Sequence, residues 1–118
     1  MDRVNEYSQL IQEILERHAR IPYSHGEIAS YAIADVPKNH FMLMIVGWDD
    51  NCRVHGCITH VQIIDGKIWI QRDGIEDGIT EELVAAGVPK SDIVLGFHPP
   101  EVRPHTGYAI GSISNMYA

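Results

Sequence analysis

The sequence predicts an α+β fold: an N-terminal helix packed on an antiparallel sheet of about four to five strands, with a second short helix after a central hairpin. Three observations predict it. Val4, Tyr7, Ile11, Ile14, Leu15 and His18 recur at spacings of three and four, forming one stripe of a helix over residues 2–19. Asp65-Gly66 separates two apolar runs, a two-residue type I′ hairpin signature. Ile79, Leu83, Val84 and Ala86 then return to helical spacing.

The first helix places Glu6, Gln9, Glu13, Glu16 and Arg17 toward solvent, takes Asp2 as its capping candidate and ends before Pro22, whose ring pushes the preceding residue out of helical geometry. Residues 27–36, rich in Ile, Tyr and Ala and closed by Pro37, suit a strand of modest length at a sheet edge. The run Phe41 to Trp48 is apolar throughout and bounded by turn residues, which predicts a central strand covered on both faces.

The hairpin turn sets a register. Ile63 opposite Ile68 and Val61 opposite Ile70 form the core face, continued by Thr59, Cys57 and His55. Ile64 opposite Lys67, Gln62 opposite Trp69 and His60 opposite Gln71 form a wetter face, with Thr59 opposite Arg72 further along the core side. The second helix, residues 77–86, begins with Asp77, Glu81 and Glu82 in its early turns, is capped by Gly87 and is followed by Pro89. Ile93 to Phe97 is a short buried segment or strand, and His98-Pro99-Pro100 enforces extended backbone. Residues 1–118 are read as one domain, with those after about 110 as a candidate tail.

A chain of 118 residues with 45% apolar and 21% charged side chains is globular in composition, and a domain of this length buries roughly two-thirds of its unfolded surface without metal or disulfide. No apolar run approaches the roughly 20 residues that span a bilayer, and two cysteines fall short of a secreted disulfide scaffold, so a cytoplasmic protein with reduced thiols and no membrane contact is expected. Sixteen acidic residues outnumber nine basic ones, for a net charge of −7. With the cations spread along the chain, strong autonomous DNA binding is not expected, although folding or dimerisation would gather Arg53, Lys67 and Arg72 along one sheet surface.

The candidate chemistry is unspecific. Cys52, His55, Cys57 and His60 are the densest group of potential ligands, but their spacing is a poor match to zinc sites, and strand alternation sends His55 and His60 to opposite faces. A Cys57–His55 nucleophilic pair lacks an orienting third group. Asp73, Glu76 and Asp77 sit where a strand meets a helix, a position suited to carboxylates around magnesium in a nuclease and equally to a turn and helix cap, which is the plainer reading. No phosphate-cradling or nucleophile-elbow motif occurs, and no catalytic residue, metal or cofactor is expected. The stiff stretch His98, Pro99, Pro100 with Arg103 suits a protein contact and equally a rigid loop without a partner.

Ile21-Pro22-Tyr23 with Gly26-Glu27, Val46-Gly47-Trp48, Val54 to Cys57, Asp65 to Gln71, Asp73-Gly74, Gly78-Ile79 with Glu82-Leu83, Gly87 to Lys90 and Asp92 to Pro100 occur in an order and spacing that resemble the XisI family over about residues 1–110. That family takes its name from the fdxN element excision controlling factor of cyanobacteria, required beside a site-specific recombinase to cut a DNA element from the chromosome. The resemblance implies a non-catalytic accessory role. XisI-like proteins are commonly encoded beside XisH-like proteins, which look related to nuclease folds, so it also implies a XisH-type partner, with a recombinase and indirect contact to DNA further out.

The partner-binding positions expected from these readings are Trp69, His98, Pro99, Pro100 and Arg103. Direct DNA binding through Arg53, Lys67 and Arg72, a metal-dependent nuclease, and a neutralising partner of a toxic XisH-like protein stand as alternatives. A homodimer is expected from the sheet surface around Trp69 and the edge strand.

Overall fold

A computed structural model of the chain describes residues 3–111; the cap expected at Asp2 and the tail beyond Gly111 lie outside the described residues. Helix α1 (Arg3–Ala19) lies on one face of a five-stranded sheet in the order β1 (Glu27–Asp35), β2 (His40–Asp49), β3 (Cys52–Ile64), β4 (Lys67–Asp73), β5 (Ile93–Leu95). The expected stripe is the buried one: Tyr7, Ile11, Ile14 and Leu15 pack against Phe41, Leu43, Val61, Ile63, Ile68 and Ile70. Helix α2 (Ile79–Ala85) closes the same core with Ile79 and Leu83.

The first four strands pair antiparallel, as expected, and β5 runs parallel to β4. The parallel pairing follows from α2. Two hairpin-linked strands must run in opposite directions, whereas a helical crossover from Gly74 to Asp92 returns the chain to the sheet in its original sense.

Two β-bulges correct the expected register. The hairpin pairs Ile64 with Lys67, Ile63 with Ile68, Gln62 with Trp69 and Val61 with Ile70, and then slips, so that His60 faces Arg72 and Thr59 faces Asp73. In β3 a second slip pairs Leu43 with Thr59 but Met44 with Cys57. The extra residue, Ile58, packs against the core, and the alternation changes phase beyond it. Cys57 and His55 therefore share the far face with His60 instead of lining the core. Strand β2 is likewise not covered on both faces: Phe41 and Leu43 are buried beneath α1, while Met42, Met44 and Val46 on the far face are only partly buried.

Beyond β5 the chain continues as an arm, residues 96–111. It turns at His98, passes a short 3-10 helix at Arg103–His105, and returns to the sheet where Ala109 bridges Val94 in parallel. The arm covers the far face only over β4 and β5.

Candidate protein-interaction surfaces

The far face of the sheet is built by alternation. On β1 the outward positions carry Glu27, Ala29, Tyr31, Ile33 and Asp35, paired across β2 with Trp48, Val46, Met44, Met42 and His40. Tyr31, Ile33 and Trp48 are each about half-exposed, at 53%, 49% and 50%. Apolar residues at both phases of an edge strand and its neighbour are the sequence signal for a second covered face, and among the described residues this face stays open over β1 and β2.

A polar seam borders this apolar field. His40 Nδ1 lies 3.2 Å from His60 Nε2, with the two rings stacked at 5.5 Å between centroids. Gln62 contacts His40 Nε2 at 3.3 Å and accepts from Gln71 at 2.9 Å. Burial, reinforced by the neighbouring His40, holds the His60 imidazole below its usual pKa. Burial likewise pushes the Cys57 thiol up, and its S–H donates to the Thr59 carbonyl at 3.2 Å, an arrangement opposed to thiolate chemistry.

Trp69 was expected on a wet surface; it is buried, with 2% of its surface exposed. The arm accounts for this. Gly111 lies so close that a Cβ there would come within 2.5 Å of the indole, and one at Gly96 within 3.1 Å. Arg103, also buried, sits 5.0 Å above the ring centre, its Nε donating to the His98 carbonyl at 3.0 Å and its Nη1 reaching the Ile110 carbonyl at 3.5 Å. Two of the five expected contact positions are thus occupied internally, fixing the arm to the sheet. The other three, His98, Pro99 and Pro100, are surface residues. Phe97 joins them, 48% exposed and packed on the His98 ring at 4.6 Å. Position alone conceals Phe97 in the sequence, where it reads as the last residue of a buried strand.

Arg53, Lys67 and Arg72 do share the far face, by register. Arg53 stacks over Trp48 at 5.1 Å. Glu27 and Asp35 on β1 bracket the same face with opposite charge, so no uniform basic surface forms.

Asp73 caps α2 from outside the helix. One carboxylate oxygen accepts from the Ile79 N–H at 2.9 Å, and the other accepts from the Thr80 hydroxyl at 3.1 Å and its N–H at 3.4 Å. Glu76 and Asp77 instead line an open groove of about 670 Å³ beside Tyr23, Ile58 and Ile75, with Glu82 at its edge. Glu82 is held by Arg17 and by His18 at 2.6 Å. Among the described residues no three His, Cys, Asp or Glu side chains converge as a metal site.

Residues 1–110 match the family model of the XisI protein. A XisI-like protein from Anabaena variabilis ATCC 29413 has a crystal structure similar to this chain, with TM-score 0.84 and 36% identity over 92% of this chain and 99% of that one. The fdxN element excision controlling factor XisI from the same organism gives TM-score 0.78 and 35% identity over 93% of this chain and 100% of that one. No curated protein matches. The family match over residues 1–110, with similarity at 35–36% identity spanning nearly the whole of both relatives, places this chain in the XisI family.

Proposed function

We propose that this chain is a non-catalytic controlling factor for DNA element excision, acting by binding a XisH-type partner protein. The observation that carries the reading is the pinned arm. Arg103 and Trp69 hold a loop on which Phe97, Pro99 and Pro100 stand exposed beside His98. An aromatic residue on stiff backbone loses little freedom on docking, which is the property of an interface anchor. The similarity to a solved excision controlling factor supplies the process, and the commitment of both Asp73 oxygens to α2 weighs against the nuclease alternative.

The test is co-purification of the tagged chain with the XisH-type protein encoded nearest to it, followed by the mass of the complex from light scattering. A stoichiometric complex that weakens by about tenfold or more in Phe97→Ala supports the reading, an anchor side chain being worth about 2 kcal/mol. Absence of a complex overturns it. If this chain alone then retards element-end DNA, with affinity falling steeply as salt rises, direct binding through Arg53, Lys67 and Arg72 takes its place.

A further inference from the structure

We propose that the open face of β1, β2 and β3 is where a second copy of this chain packs, face to face, about a two-fold axis running along β2. The inference is independent of the XisH reading, which uses the arm. It begins with composition. The middle of the face is Tyr31, Ile33, Met42, Met44 and Val46, with Trp48 at one end, the aromatic and methionine-rich mixture that marks the desolvated centre of an interface.

Size is sufficient. Strands of nine and ten residues, at about 3.4 Å per residue and about 4.8 Å between strands, give a plan area of roughly 450 Å² on each copy. Both copies together approach about 1,000 Å² before side-chain relief is added, the lower bound for a specific interface. The arm, standing on Trp69 over β4 and β5, bounds the face on that side and confines a partner to the first three strands.

Charge selects the occupant and its orientation. One end row of the face reads Glu27, Trp48, Arg53 across the three strands, and the opposite end row reads Asp35, His40, Gln62. An axis along β2 lays β1 of one copy over β3 of the other and keeps each row against itself. Glu27 then meets Arg53 of the partner copy at both symmetric positions, Trp48 meets its own equivalent near the axis, and Asp35 meets the amide of Gln62. An in-plane axis across the strands would set β1 on β1 and bring Glu27 against Asp35 twice, an unpaired carboxylate repulsion. Self-complementarity of this kind is what an isologous interface requires, and aligned sheets packing at about 30° preserve the rows within the reach of Glu and Arg side chains.

The test is sedimentation or light scattering of the chain by itself. The expected result is twice the chain mass. Glu27→Arg and Arg53→Glu each weaken association by about tenfold or more, and the double exchange restores it, because reversing one charge creates two like-charge contacts and reversing both removes them. Met44→Asp gives a monomer with unchanged circular dichroism. A wild-type chain that stays monomeric at its highest soluble concentration overturns the proposal, whether or not it binds a XisH-type protein. A dimer indifferent to all four variants overturns it as well, placing self-association elsewhere.

Discussion

The guanidinium of Arg103 lies 5.0 Å from the centre of the Trp69 ring, and this contact joins the Ala109–Val94 bridge in holding the arm against the sheet. A cation above an indole face is worth about 0.5–2 kcal/mol, and loss of a charged donor to two carbonyls adds to that, so Arg103→Ala should cost about 2–4 kcal/mol in urea unfolding. Arg103→Lys should recover only part of this, since an ammonium cannot lie flat on the ring while donating in two directions. In both variants Trp69 emission should shift to the red at native-state denaturant concentrations, as water reaches the ring.

Tyr7 ties α1 to the start of β5 by donating its hydroxyl hydrogen to buried Asp92, which Arg3 also reaches at 3.2 Å. Burial first, then the hydrogen bond and the charge of Asp92, push the phenol from 10 up to about 12. A folded pKa above the unfolded one favours the protonated form in the folded state. The stabilisation is therefore complete below about pH 10 and disappears as the pH rises through 12. Tyr7→Phe should remove this alkaline decline and lower stability by about 1–3 kcal/mol at neutral pH, because Asp92 is left under-satisfied. Unfolding curves measured between neutrality and strong alkali test both statements.

The His40–His60 pair predicts the opposite limb. His60 has a folded pKa depressed below 6.5 by burial and by His40, so its contribution is present above that value and is lost as the pH falls through the lower folded pKa. The facing groups are His40 on β2 and Arg72 on β4, neither of which can neutralise an imidazolium, and Gln62 and Gln71 complete the seam. His60→Gln should flatten the acid side of the stability profile, measured as thermal midpoint against pH.

Thr59 is fully buried at the centre of the core face, and no protein group among the described residues hydrogen-bonds its hydroxyl. Thr59→Val keeps the shape and removes an unpaired polar atom, so it should raise stability by about 1 kcal/mol. A lower unfolding midpoint in Thr59→Val would contradict this account of the site.

Much of the fold was legible from local rules. The α1 stripe, the Asp65-Gly66 turn and the Gly87 cap each depend on neighbours within a few residues, and all three hold. The bulges at Ile58 and beyond Val61 were not legible, because an extra residue in a strand leaves no mark in a short alternating pattern. That omission carried His55 and Cys57 to the wrong face. Trp69 failed for a different reason: its cover comes from Gly96, Arg103 and Gly111, far along the chain, whose weak local signals hid a long-range contact. The exposed Pro99-Pro100 loop was legible because proline restricts the chain whatever surrounds it.

The two tryptophans occupy opposite regimes, Trp69 sealed beneath the arm and Trp48 half in water at the end of the open face. The molecule therefore carries its own pair of optical reporters. Iodide should quench Trp48 and leave Trp69 dark to it, so burying the sheet face would silence the quenchable fraction, whereas lifting the arm would enlarge it.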